Sequence, residues 1–275
     1  MLARDALADA AARLAAVSDT PRLDAELLMA RALGVERETM LLGALDREAP
    51  AGFDDLVRRR LAHEPVAYIT GRRAFWTIEL AVGPGALIPR PDSETLIEAA
   101  LDRFGAEGPA TILDLGTGPG TLLLAALDQW PRARGLGIDA SDEALAYARA
   151  NAGRLGLAER ARWRRGDWEE GVDGRFDLIL CNPPYVAAGA PLPPDVERWE
   201  PAAALHAGPD GLAAFRRLAP RLGPLLAPGG IACVEIGIGQ AEAAAALFAA
   251  ERFTISLRAD LNKVARCLIV TLDRE

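Results

Sequence analysis

Histidine, lysine and cysteine are scarce in this 275-residue chain, and each scarcity removes a class of chemistry. His63 and His206 are the only histidines. That excludes a histidine-rich metal centre and leaves no Ser-His-Asp arrangement for nucleophilic catalysis, so no metal site is expected. The three cysteines, Cys181, Cys233 and Cys267, stand far apart in apolar strands. They read as buried free thiols, not as a disulfide framework or a zinc site. Lys263 is the only lysine, and the net charge is −8 with a pI near 5.0. The chain therefore lacks the basic balance of a sequence-independent nucleic-acid binder. Arginine carries almost all the positive charge and alanine is abundant, which reflects GC-rich coding more than selection for arginine. Arg58-Arg59-Arg60 accordingly reads as a solvated helix face. Long apolar runs are missing too: the alanine-rich stretches are broken by charge, glycine or proline, so no membrane span is expected. The first residues carry Asp5 and Asp9 and lack a signal-peptide apolar core. A cytoplasmic protein is the expectation.

What is present is apolar residues for a packed core, with 51% hydrophobic residues and a mean hydropathy of +0.09. To about Glu64 the periodicity is helical. Leu7, Ala10, Leu14 and Val17 form one stripe, and Leu23, Leu27, Leu28 and Ala32 form another between a Pro21 start and a Gly34 stop. Short helices around Glu38–Leu45 and Phe53–Ala62 follow. Val66–Gly71 and Ala74–Leu80 read as two strands joined by Gly71-Arg72-Arg73. The prolines of Pro89-Arg90-Pro91 set an extended segment before a helix over Ser93–Phe104. Arg90 and Glu94 can reach into an active site, and a helix-start role for Asp92 and Glu94 is equally open. Tyr68 is open in the same way, between a site role and a hairpin core.

Beyond Pro109, strands and helices alternate, the pattern of a doubly wound parallel α/β sheet. A helix over about Gly211–Leu226 precedes the strand Gly230–Ile236. Phe253–Arg258 and Ala265–Leu272 read as an antiparallel hairpin closing the sheet.

The chemistry gathers at four strand ends. Phe176–Cys181 is a buried strand that runs into Asn182-Pro183-Pro184-Tyr185. Consecutive prolines cannot donate backbone hydrogen bonds and Pro183 keeps Asn182 out of a helix, so the strand ends in a stiff loop. An amide or exocyclic NH2 is a poor nucleophile. The Asn182 side-chain oxygen and the Pro183 carbonyl are two acceptors able to hold its two N–H bonds, with Tyr185 packed on the flat group. The strand Ala110–Leu115 runs into Gly116-Thr117-Gly118-Pro119-Gly120, whose glycines allow close backbone approach to a ligand. The spacing is not the dinucleotide fingerprint, because Thr121 stands where its third glycine would fall. Asp139, about 20 residues beyond the glycines and at the next strand end, is placed to accept both ribose hydroxyls; Ser141 fills the helix-capping role beside it. Gly166-Asp167-Trp168, after the strand Ala161–Arg165, offers an adenine a carboxylate acceptor and an apolar wall.

With these residues the chain resembles the PrmC/HemK protein-(glutamine-N5) methyltransferases, over nearly its whole length. The markers are Glu64–Gly71, Leu87-Ile88-Pro89-Arg90-Pro91, the Asp114–Gly120 loop, Gly166-Asp167-Trp168, Asn182–Tyr185 and Glu200–Leu205. Four positions depart from the usual pattern: Asp92-Ser93 where the family has Glu-Thr, Cys181 for a serine, and Pro119 for a small polar residue. The resemblance implies a Rossmann-like seven-stranded methyltransferase fold with one reversed strand. It divides the chain into a helical bundle over 1–64, a β-hairpin linker over 65–84 and a catalytic domain over 85–275. It implies S-adenosyl-L-methionine as cofactor, with S-adenosyl-L-homocysteine as product, held by Gly116, Thr117, Gly118, Pro119, Gly120, Asp139, Asp167, Trp168 and Asn182. The implied acceptor is the glutamine of a Gly-Gly-Gln tripeptide in class I peptide chain release factors. Asn182, Pro183, Pro184 and Tyr185 would hold it, the helical bundle would dock the release factor, and the methylation would tune translation termination. The enzyme is expected to be a monomer that does not bind nucleic acid directly. The competing acceptors are a ribosomal-protein glutamine and the N6-adenine or N2-guanine amino group of a nucleic acid. A non-enzymatic interaction module would expect decay of the glycine loop, Asp139 or Asn182, and all are intact.

Overall fold

The computed structural model describes residues 1–273, which fall into two compact units, Met1–Arg72 with Leu192–Trp199, and Arg73–Pro191 with the chain from Glu200 onward. In the first unit lie α1 (Ala3–Leu14), α2 (Pro21–Leu33), α3 (Arg37–Gly43), α4 (Phe53–Leu61) and α5 (Val66–Thr70). Leu7, Leu14, Leu28, Met29, Met40 and Val57 make its core. Gly34 ends α2 in the left-handed region at φ +67°. The expectation of three solvated arginines fails at Arg60, which is buried. Its Nε donates to Asp24 Oδ2 at 2.9 Å and its Nη2 to the Val17 carbonyl at 3.3 Å. A buried guanidinium requires such partners.

The strand expected over Val66–Gly71 is a helix. Pro65 sets its start, and Gly71, at φ +77°, closes it by donating its N–H to the Ala67 carbonyl. Ala67, Tyr68 and Ile69 are buried by it. The β-branched composition favoured a strand, but the proline start and glycine stop decide the backbone. The two-stranded sheet is made instead by β1 (Arg72–Phe75) and β2 (Ile78–Ala81), with the turn at Trp76-Thr77. Tyr68 thus belongs to the core of a helical segment, not to a hairpin.

The second unit continues through α6 (Glu94–Phe104), β3 (Thr111–Leu115), α7 (Thr121–Gln129), β4 (Arg134–Asp139), α8 (Asp142–Arg154), β5 (Ala161–Arg165) and β6 (Phe176–Cys181). After α9 (Pro194–Trp199), which belongs to the first unit, come α10 (Ala213–Leu218), β7 (Leu226–Glu235), α11 (Ala241–Ala249), β8 (Phe253–Ala259) and β9 (Ala265–Leu272). The long helix expected to reach Leu226 stops at Leu218. Pro220 and Pro224 cannot supply N–H donors to an α-helical ladder, and short 3-10 turns at Ala219–Arg221 and Gly223–Leu225 replace it.

The seven-stranded sheet has the order β5-β4-β3-β6-β7-β9-β8, parallel but for the reversed β9. Its core includes Leu113, Leu115, Ile179, Val234, Phe215 and Phe248. Strand order reverses between β3 and β6, the switch point where open α/β sheets bind ligands beyond the strand carboxyl ends. Leu115 is in register with both Ile138 and Cys181. The loops that begin at Gly116, Asp139 and Asn182 therefore leave the sheet side by side. Cys181, Cys233 and Cys267 are buried free thiols. Among the described residues no helix is long and apolar enough to cross a membrane.

Candidate active site

A cavity of about 490 Å³ opens at these strand ends, within the usual range of small-molecule sites. Gly116, Thr117, Gly118 and Pro119 form one wall, Asp139 and Ser141 another. Asp167 and Trp168 close one side, and Asn182 and Pro184 face the cavity from β6. Gly120 is not on the wall. It caps α7 at φ +88° and lies against Leu124 and Trp163. Pro183 and Tyr185 line a smaller cavity of about 50 Å³ that shares Leu87, Arg90 and Asn182 with the first.

The glycine loop is tied down by carboxylates. Asp139 Oδ2 accepts the Gly118 N–H at 2.8 Å, and Oδ1 accepts the Ser141 N–H at 2.8 Å. Each oxygen keeps a further lone pair for a ligand. Ser141 caps α8 by accepting the Ala144 N–H at 3.1 Å. Beneath the loop, fully buried Asp114 accepts the Thr117 hydroxyl at 2.5 Å and the Leu123 N–H at 3.2 Å through Oδ2, while Oδ1 has no partner among the described residues. Burial pushes this carboxyl up to about 7, against the pull of those two bonds. Gly137, outside the motif, is equally constrained: a Cβ there would lie 2.6 Å from the Trp163 ring and 2.9 Å from the Thr117 hydroxyl. The Asp167 carboxylate meets Arg217 Nη2 at 2.8 Å, and Trp168 stands at φ +60° beside it.

The Asn182 loop has its own supports. Asn182 Nδ2 donates to Ser93 Oγ at 3.1 Å, which leaves Oδ1 free to accept. The Tyr185 hydroxyl donates to Glu235 at 3.2 Å. Burial and the neighbouring Glu235 push the Tyr185 phenol up. Gln240 Nε2 donates to the Tyr185 carbonyl at 3.0 Å and the Gly211 carbonyl at 3.3 Å. Gly211 sits so close to the Tyr185 carbonyl that a Cβ there would collide with it.

Among the residues left open in the sequence, Arg90 lines both cavities and is ion-paired to buried Glu200, which also accepts the Ile88 N–H at 3.0 Å. Glu94 does not line either cavity and accepts the Trp76 N–H at 2.9 Å in the hairpin turn. Motif reading gave no role to Ser93, Asp114, Glu200, Glu235 or Gln240. Asp114, Ser93 and Glu200 stood inside quoted stretches, but Glu235 and Gln240 carried no sequence signal, because their roles depend on partners about 50 residues away.

The donor set fits an adenosyl sulfonium ligand. The cavity has the size, a carboxylate on one wall, backbone turned toward the ligand space and an indole on another side.

Comparison with known proteins agrees. Residues 5–71 match the PrmC N-terminal domain, and residues 107–253 match a methyltransferase domain. A release factor glutamine methyltransferase from Caulobacter vibrioides is 45% identical over 84% of this chain and 82% of its own. Another from Cereibacter sphaeroides is 44% identical over 95% of each. A solved methyltransferase from Pyrococcus furiosus shares the fold, with a TM-score of 0.55 at 19% identity over 79% of this chain and 98% of its own. With that extent of identity across both units, the chain belongs to the release factor glutamine methyltransferase family.

Proposed function

We propose that this enzyme transfers the methyl group of S-adenosyl-L-methionine to the side-chain amide nitrogen of the glutamine in the Gly-Gly-Gln motif of class I peptide chain release factors. The observation that carries the reading is the placement of Asn182, with its Oδ1 unengaged, between the cavity at the glycine loop and the smaller cavity lined by Pro183 and Tyr185. The names of the relatives favour a release factor over a ribosomal protein or a nucleic acid base. We take the enzyme to be a cytoplasmic monomer whose segment 1–64 docks the release factor, and the net charge of −8 supports the absence of direct nucleic-acid contact.

Gly116, Thr117, Gly118, Asp139, Asp167 and Trp168 would hold the cofactor, which supplies an electrophilic methyl carbon on a sulfonium. Asn182 Oδ1 and the Pro183 carbonyl would accept the two N–H bonds of the glutamine, directing the nitrogen lone pair along the line of attack. The new nitrogen–carbon bond would replace the carbon–sulfur bond, whose pair would stay on sulfur, and one N–H proton would pass from the nitrogen to solvent. Orientation of this kind lowers a barrier by up to about 7–11 kcal/mol. The deciding experiment offers labelled S-adenosyl-L-methionine with a purified release factor or its Gly-Gly-Ala variant. Label on the wild-type factor alone is expected. Equal labelling of both factors, or none, would reject the reading.

A further inference from the structure

Glu235 ends β7 behind the catalytic loop, with 1% of its surface exposed. The Tyr185 hydroxyl donates to its carboxyl at 3.2 Å, and the Ser93 hydroxyl lies beside it. Ser93 Oγ in turn accepts from Asn182 Nδ2. The second carboxyl oxygen, Oε2, has no hydrogen-bond partner among the described residues. A buried acid linked to both ends of the substrate loop is more than the packing of a strand end requires.

We propose that Glu235 is a positioning residue that, through Ser93, sets which end of the Asn182 amide faces the substrate glutamine. The inference rests on the glutamine reading above. A carboxylate only accepts hydrogen bonds. Both hydroxyls must then aim their protons at Glu235, so Ser93 has only lone pairs left for Asn182. The amide answers with its NH2 and leaves Oδ1 toward the substrate. A protonated Glu235 can instead donate. Ser93 is then free to turn its own proton to Asn182, the amide rotates, and its NH2 meets the NH2 of the glutamine, donor against donor. The carboxylate is therefore the working form.

The groups around Glu235 tune that choice. Arg266 of β9 favours the carboxylate, but it is shared with Asp92 at 2.7 Å and Asp260 at 3.2 Å. Asp92, in the turn before α6, opposes it. Cys267 of β9, Cys181 at the end of β6 and Tyr185 complete the titratable surroundings. Burial outweighs the others and pushes Glu235 up to about 7, so the orientation switch falls within the ordinary working range of pH.

The test is methyl transfer to a full-length release factor as a function of pH, with S-adenosyl-L-homocysteine affinity by calorimetry and thermal melting measured alongside. For the wild type, kcat is expected to rise with pH through an apparent value near 7. Glu235→Gln can both donate and accept, so it loses that limb, and kcat falls on the order of tenfold to a hundredfold with cofactor affinity unchanged. Ser93→Ala breaks the same link and falls likewise, while Ser93→Thr, which keeps the hydroxyl, recovers most of the rate. Wild-type kcat and an unchanged acid limb in Glu235→Gln would overturn the inference. So would a parallel loss of kcat and cofactor affinity with the pH profile intact, the mark of a merely structural role. If Glu235→Gln does not fold, the Ser93→Ala and Ser93→Thr pair decides by the same readings. Failure of the wild type to transfer label would overturn the substrate reading itself, whereas transfer by a wild type with insensitive variants rejects only the role of Glu235.

Discussion

Arg90 and Glu200, 110 residues apart in the chain, form an ion pair at the edge of both cavities, with the Glu200 side chain only 1% exposed. Glu200 also holds the Ile88 N–H, so one carboxylate fixes the Leu87–Arg90 segment from two sides. Glu200→Ala strands a backbone donor and a guanidinium. Arg90 remains one-third exposed, so the expected loss is about 1–3 kcal/mol, below that of a fully buried pair. Urea unfolding measures it. Glu200→Gln, which can still accept from Ile88, should lose less, and an equal loss in both variants would contradict the backbone role.

Gly137→Ala tests the fit of Trp163 against the glycine loop. The added Cβ meets the indole and the Thr117 hydroxyl, and overpacking of this kind costs typically about 1–3 kcal/mol. Because Thr117 lines the cavity, affinity for S-adenosyl-L-homocysteine should weaken as well. Calorimetry showing wild-type affinity would place the adjustment wholly in Trp163.

Asn182→Ala removes the proposed acceptor for the glutamine NH2 while leaving the glycine loop and Asp139 untouched. A fall in kcat on the order of 10²–10³ is expected, the scale of losing one directed polar contact at a reacting centre. Cofactor binding should be largely kept. Single-turnover transfer beside a binding titration separates the two effects, and near-normal turnover would remove Asn182 from the mechanism.

In the first unit, Arg60→Ala should be severe. It leaves Asp24 buried without its guanidinium and the Val17 carbonyl without a donor, a loss of about 3–5 kcal/mol. Replacing Arg60 and Asp24 together with leucine or methionine should recover much of it, because the uncompensated charge is gone. Denaturant midpoints of the single and double variants decide the matter.

Stability should also depend on pH through Asp114 and Glu235, both pushed up to about 7 by burial. The folded chain holds these protons more tightly than the unfolded chain does. Their favourable contribution is therefore complete below the ordinary carboxyl range near 4 and is lost as pH rises through about 7. Each contributes at most about 3–4 kcal/mol. Unfolding in urea at pH 5 and pH 8 should show a smaller difference for Glu235→Gln than for the wild type, and an identical difference would mean that Glu235 titrates normally.

Much of this was legible in the chain. Apolar runs such as Ile112–Leu115 and Leu178–Cys181 give strands because a parallel sheet buries both faces, and each ends at a loop that glycine or proline makes unmistakable. Ser141 marked its helix start through a local hydrogen bond. The failures share one cause, which is partners distant in sequence or end signals that outweigh composition. Val66–Thr70 has strand-like residues between a proline and a glycine that demand a helical turn. Arg60 looks like its neighbours until Asp24 comes beside it. Glu235 reads as a strand residue until Tyr185 and Ser93 arrive from other elements.

The register that sets Leu115 beside Ile138 and Cys181 carries one more consequence. The ligand space has no existence in any part of the sheet taken alone, since its walls come from chain positions as far apart as Gly116 and Asn182. Cofactor can thus recognise only the finished sheet. At a hundred times its dissociation constant it would stabilise the folded sheet by about 2.7 kcal/mol, so the methyl donor would act on stability as well as on rate.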